Sequence, residues 1–290
     1  MALATAIVGK EFGTITTPIT LRRVMAYAAA VGDHNPRYFD DTRAEPVVAQ
    51  PIFGVCLDFP LHPAVREASG LSAAESDRQV HATQEMIFHR PVRVGDVLTT
   101  RGVIAGAEQR PPGAYMVLRF DTVDAAGQPV LTTYFGRLHR DVPSEGPACW
   151  LDRPPELPAV TASQAGGWSA PVEIPWGLPH VYSECAQIYF AIHTERSFAQ
   201  GVGLPDILLH GTATLAIATR EIVDRACGGD PARLTRVGGR FAAMIIPGST
   251  ITVRLDEEGR TAAGRLLRFT VLNAAGQPAI RDGVAVVRDA

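Results

Sequence analysis

The stretch that decides the fold spans residues 191–226 and reads AIHTERSFAQGVGLPDILLHGTATLAIATREIVDRA. From Gly211 onward, apolar residues recur at the spacing of one broad helix face: Leu215, Ala218, Ile222 and Ala226. Gly228 and Gly229 follow at once, and glycine is the residue most often found where a helix ends in the left-handed conformation. The pattern therefore predicts a long helix over residues 211–226.

Alternating segments follow this helix and indicate a β-sheet. Apolar and polar residues alternate over about residues 237–246, 249–256, 264–272 and 280–288, which is the period of a half-buried strand. A long helix followed by several strands is typical of an α+β fold in which an antiparallel sheet packs against the helix.

The same pattern of turns occurs twice in the chain, which indicates a duplication. DAAGQPV at residues 124–130 resembles NAAGQPA at residues 273–279, 149 residues later. Upstream, the glycine turn at Gly95 matches the one at Gly248, 153 residues later, and each leads into a strand. Two matching pairs in the same order make chance a poor explanation.

A proline-rich stretch separates the two copies. Eight of the 22 prolines fall between Asp141 and Pro179. Proline fixes φ and removes a backbone donor, so we expect neither a helix nor a central strand there. The sequence predicts a first unit over residues 1–140, a linker over 141–179 and a second unit over 180–290.

Composition excludes several classes of protein. The net charge of -3 gives no reason to expect binding to nucleic acid or to a membrane surface. The four cysteines form no CxxC pair, so no metal site is expected, and a few unpaired thiols suit a reducing compartment. No apolar run is long enough for a signal peptide or a membrane span, so we expect a soluble, cytoplasmic protein.

Two segments resemble the catalytic region of one enzyme family. His193-Thr194-Glu195, followed by Leu209-His210-Gly211-Thr212, is similar to the catalytic segment of the MaoC-like (R)-specific enoyl-CoA hydratases, also called hydratase 2. Gly32-Asp33-His34-Asn35-Pro36, followed by Gln50-Pro51-Ile52-Phe53-Gly54, resembles the same segment again. The resemblance covers most of the chain outside the linker. It implies a tandem, or double, hot-dog, in which each half is a long central helix wrapped by an antiparallel sheet.

The resemblance also implies an activity: a hydratase or dehydratase acting on an enoyl or 3-hydroxyacyl thioester of CoA or an acyl carrier, in fatty-acid or polyketide metabolism. Family members place an Asp and a His on either side of one water. Backbone N–H groups at a helix start stabilise the developing enolate. His193 is then the acid–base group, since histidine titrates near neutral pH, and Gly211 opens the helix that supplies the N–H groups. The resemblance implies no cofactor, and either a monomeric pseudo-dimer or a homodimer.

The family's Asp and His are split between the two halves. With an offset of 155 residues, the aligned pairs are Asp33 with Ile188, Asn35 with Phe190 and Tyr38 with His193. The first half therefore keeps the Asp and lacks the His, and the second half keeps the His and lacks the Asp. Equivalent motifs in a pseudo-twofold pair lie at opposite ends of the interface, so we do not expect Asp33 to reach His193.

Several roles stay open at this point. Asp33 either serves a second site or caps local N–H groups, and His193 is either catalytic or a hydrogen-bonded residue in a turn. A substitute carboxylate for His193 is sought among Glu184, Glu195, Asp58 and Glu85. The candidates for substrate contact are Asn35, Tyr38, Glu195, His210 and Thr212. Of these, Tyr38 either donates a proton or packs, and His210 is expected to be hydrogen-bonded near the helix start.

Three functions compete on these residues. The first is a hydro-lyase centred on His193 and Gly211. The second is a protein that binds an acyl thioester, or a partner hot-dog chain, without catalysis. The third is a repurposed hot-dog enzyme, namely a thioesterase, isomerase or cyclase. Fold does not choose between them, since one fold carries many activities.

Overall fold

A computed structural model describes residues 1–289 of the chain. The strands of the first half are β1 (Leu3–Ala4), β2 (Glu11–Pro18), β3 (Gln79–Phe88), β4 (Val97–Arg110), β5 (Gly113–Val123) and β6 (Pro129–Arg140). Three short strands follow: β7 (Ser144–Glu145), β8 (Cys149–Trp150) and β9 (Ala162–Ala165). The second half adds β10 (Ser169–Ile174), β11 (Leu234–Phe241), β12 (Ser249–Thr261), β13 (Gly264–Leu272) and β14 (Pro278–Arg288).

Eight α-helices are found among residues 1–289. They are α1 (Leu21–Ala30), α2 (Val55–Asp58), α3 (His62–Ser69), α4 (Ala73–Ser76), α5 (Leu178–Ala186), α6 (Ala191–Thr194), α7 (Arg196–Gly201) and α8 (Gly211–Ala226). Helix α8 coincides with the helix predicted from the sequence. In this range, no helix is long and apolar enough to cross a membrane.

The main sheet is antiparallel and reads almost the same from either end. Its strand order is β10-β12-β13-β14-β11-β3-β6-β5-β4-β2, so each strand of one half has its counterpart at the matching place in the other. The halves meet where β3 pairs with β11, from Ile87 opposite Arg236 to Thr83 opposite Arg240. This is the α+β double hot-dog predicted above, closed within one chain.

Two tyrosines lie where the halves face each other. Tyr27 of α1 and Tyr182 of α5 are 155 residues apart in sequence, which is the offset that aligns the two motifs. Both are fully buried, and their hydroxyl oxygens are 3.2 Å apart. Equivalent residues of two related halves can meet only near the axis that relates them, so this pair supports the alignment of Asp33 with Ile188.

The central helix of the first half is continuous but less regular than α8. From residue 51 to residue 69 the backbone stays helical, and its hydrogen-bond pattern alternates between 3-10 turns (Pro51–Gly54 and Phe59–Leu61) and the α-helices α2 and α3. Pro60 and Pro63 account for the irregularity, because proline has no N–H to donate and its ring clashes with the preceding turn. The prediction of a central helix in each half is confirmed.

The predicted linker, residues 141–179, contains the first strand of the second half. Strand β10 pairs with β12 along its whole length, from Ser169 opposite Arg254 to Ile174 opposite Ser249. The strand tolerates Pro171 because it lies at the edge of the sheet, where one side of the backbone needs no partner. Strand β9 pairs with β12 as well, so the chain joins the second-half sheet from about residue 162, ahead of the predicted boundary at residue 180.

The first strand after α8 also differs from its predicted bounds. It spans Leu234–Phe241 rather than 237–246. Residues beyond Phe241 leave the regular strand ahead of Pro247, although Ile245 remains buried and its carbonyl accepts a hydrogen bond from Leu209 N–H at 2.9 Å. Local alternation cannot distinguish a strand from an extended loop that packs on the core.

Candidate active site

His193 lies in the short helix α6, directly beside the start of α8. Its Nδ1 donates a hydrogen bond to the carbonyl oxygen of Leu208 at 2.8 Å. A carbonyl only accepts, so Nδ1 carries the proton and Nε2 keeps a lone pair when the ring is neutral. Nε2 has no protein partner among residues 1–289. The ring is thereby held in the tautomer that leaves one free basic nitrogen.

His210 positions the His193 ring by stacking. The two ring centroids are 3.6 Å apart and the rings are nearly parallel. His210 is buried, and its Nε2 is 3.2 Å from the Ser183 hydroxyl oxygen. The sequence suggested His210 as a substrate contact, whereas the structure places it behind His193, packed against Tyr182.

Both histidines are neutral at physiological pH. Burial lowers the pKa of His193 to about 4, and the hydrogen bond to Leu208 opposes this shift only in part. Burial and the neighbouring His193 lower the pKa of His210 to about 2. A neutral His193 is able to accept a proton, which a protonated imidazolium cannot do.

The first turn of α8 presents backbone N–H groups next to His193. His210 has extended backbone angles, and the helix begins at Gly211, so the first N–H groups have no partner within the helix. A Cβ at Gly211 would lie 3.0 Å from the Phe241 ring. The side chain of Thr212 points to the interior, where its oxygen accepts a hydrogen bond from the Tyr182 hydroxyl at 3.0 Å.

No carboxylate among residues 1–289 contributes to the pKa of His193. Glu195 and Glu184 are exposed, and Glu184 accepts a hydrogen bond from Tyr189. Glu85 forms an ion pair with Arg236. Asp58 is buried in the first half near Thr133. At the places of the family's Asp and Asn, Ile188 is buried and Phe190 is half exposed.

Asp33 lies near the opposite end of α8. Its Oδ1 accepts a hydrogen bond from the Asn35 N–H at 3.2 Å, and Asn35 donates to the Gly229 carbonyl oxygen at 2.8 Å. Helix α8 has 16 residues, so its two ends are separated by about 24 Å. The split Asp and His therefore belong to two separate places and share no water.

The surroundings of Asp33 are acidic as well as buried. Burial, opposed in part by the Asn35 hydrogen bond, raises the pKa of Asp33 to about 6. Asp224 and Glu221 add to the increase. Tyr38 is fully buried and its hydroxyl has no partner among residues 1–289. Both residues lie beside an open cleft of about 750 Å³, which Asn35 and Arg220 help to line.

The first half has no room for a carbonyl at its equivalent glycine. A Cβ on Gly54 would overlap the side chains of Leu131 and Met86. Gly54 also lies in the first turn of its helix, where the Ile52 N–H already donates a hydrogen bond to Gln50 Oε1 at 2.8 Å. The first-half motif therefore keeps an Asp beside a helix start that is capped and filled.

Comparison with known proteins agrees with this division into halves. The family model "FAS1-like, dehydratase domain region" matches residues 6–133, and the model "MaoC like domain" matches residues 189–275. The chain belongs to the MaoC-like dehydratase family. The MaoC-like match contains His193 and Gly211, and the FAS1-like match contains the segment with Asp33 and Gly54.

MaoC-like relatives cover most of this chain. "Probable enoyl-CoA hydratase 2" of Dictyostelium discoideum is 24% identical over 227 residues, which is 76% of this chain and 74% of that protein. A "UPF0336 protein" of Streptomyces avermitilis is 32% identical over 139 residues, covering 46% of this chain and 91% of that protein. The crystal structure of a MaoC-like dehydratase from Phytophthora capsici superposes with a TM-score of 0.82, 21% identity and 97% coverage of both chains.

Some contributors to this MaoC-like site gave no signal in the sequence. The Leu208 carbonyl fixes the tautomer of His193 through backbone geometry, which residue identity does not encode. Phe241 comes from a strand 30 residues beyond Gly211 and meets it only in the folded chain. Ser183 lies just ahead of the motif and could have been noted as a polar neighbour.

Proposed function

We propose that this chain catalyses the reversible addition of water to a 2-enoyl thioester of CoA or an acyl carrier. The observation that carries the proposal is the free Nε2 of a neutral His193 beside the unpaired N–H groups at the start of α8. A base next to preorganised backbone donors is the arrangement that stabilises an enolate as it forms. The name of the Dictyostelium relative, "Probable enoyl-CoA hydratase 2", supports the same reaction.

One histidine is sufficient for the proton transfers of this reaction. Nε2 of His193 removes a proton from water as the water oxygen bonds to the β-carbon of the enoyl group. The π electrons move toward the thioester carbonyl, whose oxygen accepts hydrogen bonds from the N–H groups at the start of α8. The imidazolium then returns the proton to the α-carbon, giving the 3-hydroxyacyl thioester. Water supplies both the hydroxyl and the proton, so no cofactor is required.

The remaining candidates divide between the two ends of α8. We propose that Gly211 faces the thioester, that Thr212 contributes only its backbone N–H because its hydroxyl is bonded to Tyr182, and that His210 keeps the His193 ring in place through the 3.6 Å stack. Glu195 is exposed at the start of α7, where it can contact the polar part of the thioester. Asn35 and Tyr38 shape the distant cleft and do not contact the reacting atoms.

A second function is favoured by one observation: the absence of a carboxylate acting on His193 among residues 1–289. A hot-dog chain that binds an acyl thioester without turning it over would need the same cleft and no acid–base pair. Both functions predict that the thioester binds, and only the hydratase predicts that it is converted.

The assembly and location are also proposals. Because β3 and β11 already join two hot-dog units within one chain, we propose that a monomer is sufficient for the site. The four cysteines are free thiols, which supports a reducing compartment such as the cytoplasm. Fatty-acid or polyketide metabolism is the setting that such a thioester substrate suggests.

The test is the hydration of crotonyl-CoA and of a longer trans-2-enoyl-CoA, followed by loss of enoyl absorbance. We expect turnover by the wild type and a loss of about a hundredfold to ten-thousandfold in kcat for His193→Ala. His180→Ala is the matched control, because His180 is exposed and bonds only the Thr194 carbonyl. Wild-type turnover that survives in His193→Ala would refute the assignment, and binding without turnover would favour the second function.

A further inference from the structure

The inner face of the first-half sheet is polar where that of the second half is apolar. Six residues, which we call the buried polar cluster, lie between β3, β6 and the central helix of the first half: Asp58, His62, His81, Gln84, Thr133 and Arg137. His62 and His81 are partly exposed, and the other four are buried. The matching region under α8 is filled by apolar side chains, all at most 1% exposed: Val237, Leu267, Phe269, Val271 and Ala285. The polar side chains are therefore a property of one half alone.

Several atoms of the cluster lack well-placed partners although they are sealed from solvent. Nε2 of His62 and Nε of Arg137 have no hydrogen-bond partner among residues 1–289, while the Asp58 carboxyl faces the Thr133 hydroxyl and the Gln84 amide faces the His81 ring, both outside good hydrogen-bond geometry. Buried polar groups are nearly always paired in folded proteins, because an unpaired one loses its hydration without compensation. Unpaired and poorly paired groups in one place indicate a site that a polar ligand completes.

Arg137 is the decisive member because it is a buried cation without a counter-charge. It is 5% exposed, and it forms no ion pair with any residue in the range 1–289. One nitrogen donates to Gln79 Oε1 at 2.7 Å, and Nε is unpaired. An isolated buried charge is strongly unfavourable, so the natural complement of Arg137 is an anion.

No acid of the cluster pairs with Arg137. Asp58 forms no ion pair among residues 1–289, and burial raises the pKa of its carboxyl well above the usual range, which opposes a negative charge there. Burial and the nearby Arg137 lower the pKa values of His62 and His81, so both rings are neutral. Arg137 therefore has neutral donors around it and no carboxylate partner.

The cluster begins one aromatic ring away from the proposed site of reaction. The Phe241 ring lies 3.0 Å from a Cβ built on Gly211, and its centroid is 4.5 Å from that of His81. His81 is the strand partner of Arg137 across β3 and β6. Phe241, His81 and Arg137 therefore lie on three neighbouring strands, and two strand spacings amount to about 10 Å.

A second contact joins the cluster to the His193 side. Phe190, which precedes His193 in the motif, meets Phe59 edge to face with ring centroids 5.6 Å apart. Phe59 in turn contacts the His62 ring at 5.0 Å. Apolar rings thus separate the thioester end from the polar end, which is the arrangement expected for a short hydrocarbon chain with a polar group at its far end.

We propose that the buried polar cluster recognises a carboxylate at the far end of the acyl chain, so that the substrate is a 2-enoyl thioester of a dicarboxylic acid. Arg137 supplies the charge, and its free Nε, with His62 and Gln84, supplies hydrogen bonds. The hydrocarbon portion passes the rings of Phe241 and Phe59. The identity of the thioester end rests on the function proposed above, whereas recognition of the carboxylate rests on Arg137.

The experiment measures binding, so that it does not depend on turnover. Isothermal titration compares saturated acyl-CoA probes in pairs of equal length, one ending in a carboxylate and one in a methyl group, over a series of medium chain lengths. For the wild type we expect the carboxylate-ended probe to bind about tenfold to a hundredfold more tightly at the best length. Arg137→Met should abolish this preference while the methyl-ended probe binds as before.

Two controls separate recognition from a structural role. Arg137→Met should leave the melting temperature unchanged or raise it, because an apolar side chain replaces an unpaired buried charge. Arg119→Met, which removes a first-half arginine paired with Asp121 and Asp152, should keep the preference. A wild type that prefers neither probe at any length overturns the inference. So does an Arg137→Met variant that weakens both probes equally.

Hydration assays and binding assays together distinguish failure of the proposed hydratase function from failure of the inference about carboxylate recognition. If neither carboxylate-ended nor methyl-ended enoyl-CoA is hydrated, yet the binding preference exists and depends on Arg137, the inference stands and the hydratase proposal falls. If enoyl-CoA is hydrated without any preference in binding, the hydratase proposal stands and the inference falls.

Discussion

The two halves of the sheet have matching strands but opposite inner faces. Under α8 the sheet is apolar, and the proposed catalytic residues gather at the start of one regular helix. In the first half the central helix is irregular around Pro60 and Pro63, and the sheet beneath it carries Arg137 without an ion-pair partner among residues 1–289. The comparison teaches that one half offers a free helix start for the proposed chemistry, while the other has polar groups in place of apolar core packing.

Alanine substitution at the two equivalent glycines, Gly211 and Gly54, should give the largest difference in kcat between the halves. Gly211→Ala adds a methyl group 3.0 Å from the Phe241 ring, and under the proposed function this methyl group would narrow the approach of the thioester carbonyl to the N–H groups of α8. Displacement of a substrate by about 1 Å can lower kcat about a hundredfold, and we expect a loss of that order. Steady-state hydration of crotonyl-CoA measures it.

Gly54→Ala is the matched variant in the first half. The new methyl group overlaps Leu131 and Met86, so we expect a loss of about 1–3 kcal/mol in the free energy of unfolding with kcat within about twofold of wild type. Denaturant titration and kinetics on the same preparation separate the two effects. If Gly54→Ala lowers kcat as much as Gly211→Ala, the first half takes part in the chemistry and the comparison fails.

The pH profile is a second way to tell which half carries the base. A general base must be deprotonated, and the pKa of His193 is about 4 whereas that of Asp33 is about 6. If His193 is the base, kcat/KM stays flat as the pH falls from 7 to 5 and declines only near 4. If Asp33 were the base, kcat/KM would already fall about tenfold per unit below pH 6. Stopped-flow assays across this range decide between them.

The smallest effect on kcat is expected from restoring the family's Asp and His together in the first half. Tyr38→His places a histidine opposite His193 in the alignment, next to Asp33, and so restores both residue types. We expect no gain, with kcat within about twofold of wild type, because the space at Gly54 is filled and the Ile52 N–H at that helix start already donates to Gln50, so it cannot polarise a substrate. The double variant His193→Ala with Tyr38→His should therefore remain inactive; measurable rescue would show that the first-half cleft can host the reaction.

Much of the fold could be predicted because it depends on local patterns. The apolar stripe of α8 and the glycines that follow it set both ends of that helix, and the repeated DAAGQPV and NAAGQPA turns revealed the duplication. The resemblance predicted the first-half helix correctly, while its irregular hydrogen-bond pattern around Pro60 and Pro63 depends on how the turns pack, which the resemblance does not give. Strand β10 was missed because proline is a poor guide at the edge of a sheet.

The candidate site was only half predictable. His193 and Gly211 lie in one continuous motif, so the sequence placed them together. The buried polar cluster combines residues from position 58 to position 137, and their side chains meet only when three strands and a helix are assembled. Arg137 is notable because it is buried without an ion-pair partner. The sequence identifies the arginine but does not show whether its side chain is solvated, paired or buried.

The pairing of β3 with β11 inside a single chain has a consequence for how the protein can change. In a symmetric homodimer every substitution appears twice, so a polar residue that suits one subunit must also be accepted at the equivalent place in the other. Here the halves are encoded separately, and Gln84 on β3 faces Gly239 on β11 without any requirement for identity. Tyr27 and Tyr182 are alike at the centre, while separate encoding leaves one half free to specialise in the proposed reaction and the other in the proposed selection of substrate.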